Sequence, residues 1–322
     1  MEIVLAQPRG FCAGVTRAIE IVKGALAVYG APVYVRHEIV HNRTVVGDLK
    51  KMGAVFIENL DEVPEGAVLI FSAHGVPAAV QTEAERRNFR LFDATCPLVK
   101  KVHREVIRMH AEGRHILMIG HAKHPEVEAT MGQIDGGITL VENEADVARL
   151  PADLTDKPLA FVTQTTISVD DAREVIDALK TRFPAIVEPK KADVCYATQN
   201  RQDAVKKLAR LVDLILVIGS VTSSNSNRLR EVSERCGVKA YLIDSARHLV
   251  PEWFEGVTRV GITAGASAPE ALVQGVVNYI KETYGVTSVS VPEGSVDENV
   301  VFPMPKGLWK KDIDGKIGRA HV

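Results

Sequence analysis

Three cysteines constrain this chain more than any other feature, because each stands between an apolar run and an amphipathic stretch, and the arrangement recurs in every third of the sequence. Glu2-Ile3-Val4-Leu5-Ala6 leads to Gln7-Pro8-Arg9-Gly10-Phe11-Cys12-Ala13-Gly14-Val15, after which Val15, Ile19, Val22 and Leu26 recur at helical spacing. Phe92-Asp93-Ala94-Thr95-Cys96-Pro97 opens onto Val99, Val102, Val106 and Ile107. Ala192-Asp193-Val194-Cys195-Tyr196 opens onto Val205, Leu208, Ala209 and Val212. The spacing predicts that each cysteine sits at or near a helix start.

The repeat continues downstream. A second apolar run ends in polar residues at His41-Asn42, at His124-Pro125-Glu126 and at Ser223-Ser224-Asn225, which puts His41, His124 and Ser223 at 29, 28 and 28 residues beyond their cysteines. A third run ends at Ser72-Ala73-His74-Gly75, Gln164-Thr165-Thr166 and Gly265-Ala266-Ser267, with His74, Thr165 and Ser267 at 62, 69 and 72. Apolar runs alternating with helical segments predict α/β architecture with mainly parallel sheets. The period predicts three similar small α/β units arranged with pseudo-threefold symmetry around a central site, since ligand groups gather outside the carboxyl ends of parallel strands. The expected spans are 1–91 with Cys12, His41 and His74, 92–189 with Cys96, His124, Glu126 and Thr165, and 190–285 with Cys195, Ser223, Asn225 and Ser267. A C-terminal extension, 286–322, lacks the cysteine unit, ends in the polar Lys310–Lys316 stretch and reads as a tail.

A net charge of −2 supplies no global field for nucleic acid or anionic lipid, so any anion site must be local. Hydrophobic residues at 46% and charged residues at 25% exclude a disordered chain. No apolar run is long enough to span a bilayer, and no basic leader precedes the first strand, which predicts a cytoplasmic protein. The four cysteines include no CxxC pair, which argues against a disulfide framework.

A helix N-terminus favours thiolate over thiol, and thiolate is the form that binds zinc or an iron–sulfur cluster. Three cysteines leave one coordination position open, where a substrate or water can bind. Cys236, in Ser233-Glu234-Arg235-Cys236-Gly237, has no counterpart in the repeat and reads as structural. His41, His74, His124, Thr165, Ser223, Ser224, Asn225 and Ser267 are compact hydrogen-bonding groups at strand ends and helix starts, where backbone N–H groups already favour phosphate. His37, His103, His110, His115, His121, His248 and His321 read as ordinary core or surface residues. Neither a P-loop nor a GxGxxG fingerprint is present, which disfavours nucleotides. Glu126 is the one carboxylate among the tips, and burial there would raise its pKa and make it a proton donor.

Pro8-Arg9-Gly10-Phe11-Cys12-Ala13-Gly14-Val15, Val40-His41-Asn42, Ser72-Ala73-His74-Gly75-Val76, Asp93-Ala94-Thr95-Cys96-Pro97, Gly120-His121-Ala122-Lys123-His124-Pro125-Glu126, Gln164-Thr165-Thr166, Cys195-Tyr196-Ala197-Thr198, Ser223-Ser224-Asn225-Ser226-Asn227-Arg228-Leu229 and Gly265-Ala266-Ser267-Ala268-Pro269 together resemble the 4-hydroxy-3-methylbut-2-enyl diphosphate reductase family, in the family's order and over nearly the whole chain. From Leu308 onward nothing carries the resemblance. It implies an iron–sulfur oxidoreductase of non-mevalonate isoprenoid biosynthesis, with a 4Fe-4S cluster on Cys12, Cys96 and Cys195. The substrate's allylic hydroxyl would bind the unique iron and two electrons would arrive singly. Glu126, helped by Thr165 and His124, would supply protons to give isopentenyl or dimethylallyl diphosphate. The diphosphate would lie among His41, His74, Ser223, Ser224, Asn225 and Ser267, and the electron donor would be a ferredoxin or flavodoxin. No Lys or Arg is among those contacts, so protonated His41 or His74 is expected to strengthen binding at lower pH. Two other classes also use such residues: a non-catalytic iron–sulfur sensor or electron carrier, and a zinc hydrolase of a small phosphorylated metabolite.

Overall fold

The computed structural model describes residues 1–308, and the Lys310–Lys316 stretch lies outside them. The chain opens with β1 (Glu2–Leu5), α1 (Ala13–Tyr29), β2 (Val33–Arg36), α2 (Arg43–Lys51), β3 (Ala54–Ile57), β4 (Val68–Phe71), α3 (Ala78–Arg86) and β5 (Arg90–Asp93). It continues through α4 (Pro97–Ala111), β6 (His115–Ile119), α5 (Pro125–Met131), β7 (Ile138–Val141), α6 (Glu144–Arg149), β8 (Leu159–Thr163) and α7 (Val169–Arg182). The last third contains α8 (Tyr196–Leu208), β9 (Leu214–Ile218), α9 (Ser224–Arg235), β10 (Lys239–Ile243), β11 (Arg259–Ala264), α10 (Glu270–Tyr284) and β12 (Ser288–Ser290).

The strands form three parallel sheets, ordered β3-β2-β4-β5, β7-β6-β8 and β10-β9-β11-β1-β12. Parallel strands are covered on both faces by crossover helices, which explains unbroken apolar runs such as Leu214-Ile215-Leu216-Val217-Ile218, buried throughout. In each sheet the winding direction reverses between two neighbours: β2 and β4, β6 and β8, β9 and β11. Such switch points open a crevice beyond the carboxyl ends of the two strands. His41 and His74 follow the first pair, His124 and Thr165 the second, and Ser223 and Ser267 the third.

Strand pairing corrects one part of the expected organisation. β1 does not join the sheet of the first unit; it pairs with β11 and β12 in the third unit's sheet. β5, which leads to Cys96, pairs with β4 in the first sheet, and Val187, ahead of Cys195, bridges Ala160 of β8 in the second. Each cysteine therefore lies where the chain leaves one unit for the next. β5 and Val187 take the partner offered by the sheet the chain has just built, whereas β1 is held between β11 and β12 of the sheet completed last. With β1 reassigned, the cuts near 91, 189 and 285 stand as a proposal for folding units.

The segment after Gly285 is not a loose tail over its described length. β12 pairs with β1, Arg17 donates to the Pro303 carbonyl, and Leu308 is buried against the core under α1.

Candidate active site

Cys12, Cys96 and Cys195 are the N-cap residues of α1, α4 and α8, as the helical spacing predicts. None is in a disulfide, and all three line one cavity of about 100 Å³. Gly14 leaves room between two of the sulfurs: a Cβ there would lie 2.8 Å from Cys96 Sγ and 3.8 Å from Cys12 Sγ. Cys195 Sγ accepts from the Thr198 backbone N–H at 3.3 Å and lies 3.2 Å from Thr198 Oγ1. Burial, with Cys12 close by, pushes the Cys96 thiol up to about 12 and the Cys195 thiol up to about 11. Without a cationic partner these groups stay protonated.

Glu126, one position into α5, is buried in the same cavity. The Thr165 backbone N–H donates to Oε1 at 2.6 Å and the Thr165 hydroxyl to Oε2 at 2.8 Å. Burial outweighs both bonds and raises the carboxyl to about 7, with the Asp193 charge adding to the rise. His124 caps α5 by accepting the Glu126 backbone N–H on Nδ1 at 3.2 Å. That bond fixes the neutral tautomer with its proton on Nε2. Burial and the neighbouring histidines lower His124 to about 3.

His41, His74 and His124 form a cluster with ring centroids 4.1 to 6.0 Å apart. His74 differs from expectation: burial and the three histidines around it hold it well below the ordinary range, so it is neutral near pH 7. His41 Nδ1 lies 3.2 Å from Glu38 Oε2, while its buried Nε2 has no partner. Asn225 Oδ1 accepts from the Ala266 backbone N–H, and its buried Nδ2 also lacks a partner. Two groups thus enter the cavity with hydrogen-bonding capacity to spare. Ser223 caps α9, Ser267 donates to the His41 carbonyl at 3.0 Å, and Ser224 donates to the Thr166 carbonyl at 3.2 Å.

All the expected site residues line this one cavity. Thr166, Thr198 and Gly14 line it too and were not singled out as site residues, although each stands beside one in a motif. Cys236 is an exposed residue at the C-cap of α9, not part of the core, because its helix turns that end to solvent. Of the remaining histidines, His115 and His248 meet Thr139 and Ser245 hydroxyls. Buried ring atoms of His103, His110 and His121 have no partner, His37 makes edge contacts with His41 and His74, and His321 lies outside the described residues.

Three parallel α/β units around a cavity lined by free thiols, a buried carboxyl and unpartnered polar groups define a class of enzyme whose site is assembled from all thirds of its chain. A family model described as LytB protein matches residues 3–281. A 4-hydroxy-3-methylbut-2-enyl diphosphate reductase from Bordetella pertussis is 63% identical over 310 residues, covering 96% of this chain and 94% of that protein. One from Aromatoleum aromaticum is 62% identical, covering 97% of this chain and 99% of that protein. The solved E-1-hydroxy-2-methyl-but-2-enyl-4-diphosphate reductase of Plasmodium falciparum superposes with a TM-score of 0.92 at 38% identity, covering 95% of this chain and 96% of that one. The chain belongs to the LytB family of 4-hydroxy-3-methylbut-2-enyl diphosphate reductases.

Proposed function

We infer that this chain reduces 4-hydroxy-3-methylbut-2-enyl diphosphate to isopentenyl and dimethylallyl diphosphate, and that Cys12, Cys96 and Cys195 hold a 4Fe-4S cluster for the reaction. The observation that carries the reading is the meeting in one cavity of three helix-capping cysteines and Glu126. The donor set fits the cofactor. The thiols are free, space beside them is kept open by Gly14, and an iron cluster would take as thiolates the groups that burial otherwise keeps protonated. Among the described residues no three His, Cys, Asp or Glu side chains are placed to close on a single ion. Three thiolates with a coordination position left open would suit an iron–sulfur cluster that also binds substrate.

When bound, the cluster supplies two electrons singly and one iron open as a Lewis acid. In the balanced reaction the substrate takes up two electrons and two protons, the allylic carbon–oxygen bond breaks, and the hydroxyl leaves as water. Glu126, near pH 7 half protonated, holds a proton inside the cavity, with Thr165 fixing both of its oxygens. His124 offers its Nε2 proton to the substrate. His41, His74, Ser223, Ser224, Asn225 and Ser267 hold the diphosphate, and the N-termini of α2, α5 and α9 add their dipoles. The electrons come from a ferredoxin or flavodoxin in the cytoplasm; no helix among the described residues is long and apolar enough to cross a membrane.

Anaerobic turnover with an artificial one-electron reductant, with products resolved, tests the reading. Brown protein that forms both isoprenoid diphosphates is expected. A colourless, zinc-loaded protein that hydrolyses the substrate would overturn it in favour of the hydrolase class, and iron-loaded protein without turnover in favour of a sensor or carrier.

A further inference from the structure

Three basic side chains repeat with the cysteines. Arg17, Lys101 and Arg201 stand five, five and six residues beyond Cys12, Cys96 and Cys195, on the helices those cysteines cap. Side chains on a helix lean toward its N-terminus, so these three reach back over the end that carries the sulfur. Each contacts the turn of the next cysteine. Arg17 donates from Nη1 to the Thr95 carbonyl and from Nη2 to the Asp93 carbonyl, both at 3.3 Å, immediately ahead of Cys96. Lys101 Nζ donates to the Lys191 and Ala192 carbonyls at 2.5 and 2.9 Å and to Asp193 Oδ1 at 2.8 Å, immediately ahead of Cys195. Arg201 donates to the Gly10 carbonyl at 2.7 and 3.2 Å and to the Phe11 carbonyl at 3.5 Å, immediately ahead of Cys12.

Arg17 and Arg201 are buried, at 8% and 1% exposure, so their charges carry a desolvation cost that only well-made contacts offset. The C-terminal segment supplies part of that compensation: Arg17 Nε donates to the Pro303 carbonyl at 2.8 Å, and Arg201 Nη1 donates to both Glu298 carboxylate oxygens at 3.0 Å. Asp193, whose other oxygen accepts the Thr163 backbone N–H at 3.0 Å, does the same for Lys101.

We propose that Arg17, Lys101 and Arg201 are a closed ring of positioning residues, each latching the next cysteine turn to a cysteine-capped helix, so that the three sulfurs are set relative to one another. The proposal rests on the reading that the three cysteines serve one site. It predicts an offset: loss of a latch loosens the following cysteine, not the one on its own helix.

The test uses the full chain, cluster-loaded, in three variants: Arg17→Gln, Lys101→Gln and Arg201→Gln. Cluster bleaching by an iron chelator is followed by absorption, and the order of cysteine alkylation during bleaching by mass spectrometry. Bleaching about tenfold faster than wild type is expected for each variant, the scale of one lost hydrogen bond from a charged donor. Cys96 should be alkylated first in Arg17→Gln, Cys195 in Lys101→Gln and Cys12 in Arg201→Gln. Arg17→Lys and Arg201→Lys, which keep the charge but lose the fork, should show the same order more weakly, and they carry the test if a glutamine variant does not fold. Arg182→Gln, which removes donors to the Val147 and Leu150 carbonyls far from any cysteine turn, should leave order and rate unchanged. The wild-type alkylation order in every latch variant would overturn the proposal. Because alkylation order can be read without a chromophore, colourless wild-type protein with the offset pattern in its variants would overturn the cofactor reading and still support the latches.

Discussion

Thr165 gives both of its donors to one carboxyl group: its backbone N–H meets Glu126 Oε1 at 2.6 Å and its hydroxyl meets Oε2 at 2.8 Å. Both bonds favour the charged carboxylate, yet burial lifts Glu126 to about 7. The two effects oppose each other, and desolvation wins.

A proton donor with that pKa is protonated below about pH 7 and loses its proton above it. kcat/KM is therefore expected to fall about tenfold per pH unit on the alkaline side. Thr165→Val keeps the backbone bond and removes the hydroxyl that favours the charged form, so the falling limb should move to higher pH. Glu126→Gln should lose about 10²- to 10⁴-fold in rate with the cluster intact. Initial rates across pH on cluster-loaded protein check all three, and near-normal turnover of Glu126→Gln would remove its role.

One histidine of the anion site has a ring nitrogen to spare. Glu38 is held below the usual carboxylate range first by its bond to His41 Nδ1, and the buried His41 Nε2 has no partner and lines the cavity. His41→Asn should therefore weaken affinity for inorganic diphosphate about tenfold, the scale of one lost hydrogen bond to a charged group. His74→Asn should cost less, since burial and the surrounding histidines keep that ring neutral. Calorimetry on the two variants distinguishes these outcomes; unchanged affinity in His41→Asn contradicts the assignment.

Cysteine variants separate site from surface. Cys12→Ser, Cys96→Ser and Cys195→Ser should lose both iron and turnover, because each removes an N-cap thiol from the shared cavity. Cys236→Ser, exposed at the far end of α9, should lose neither. Iron content per chain and absorption near roughly 400 nm provide the measurement.

The sequence made the cavity legible for a local reason. N-caps and strand ends are set by short-range chemistry, so the constant interval from Cys96 to His124 and from Cys195 to Ser223 survives folding as a constant position above a sheet. What could not be seen locally was partnership. Glu2–Leu5 reads as the first strand of the first unit, but which sheet edge it joins depends on a strand more than 250 residues away, Arg259–Ala264. The protonation state of His74 follows from three other rings and from desolvation in the cavity wall, none of which its own motif records. Arg201 looks like any helical arginine until Glu298 and the Gly10 carbonyl are brought beside it.

Gly14 offers a test in which backbone conformation plays no part. Its φ is ordinary for a helix, so alanine costs nothing in strain and would even favour α1. A methyl group there, however, would sit 2.8 Å from Cys96 Sγ, well inside contact distance, and 3.8 Å from Cys12 Sγ. Cys96 can relieve the clash only by swinging its sulfur off the position it shares with the other two. Gly14→Ala should therefore keep or slightly raise Tm while iron per chain and turnover drop together. Full iron loading in a variant of unchanged Tm would show that the space beside the two sulfurs is not needed for the cluster.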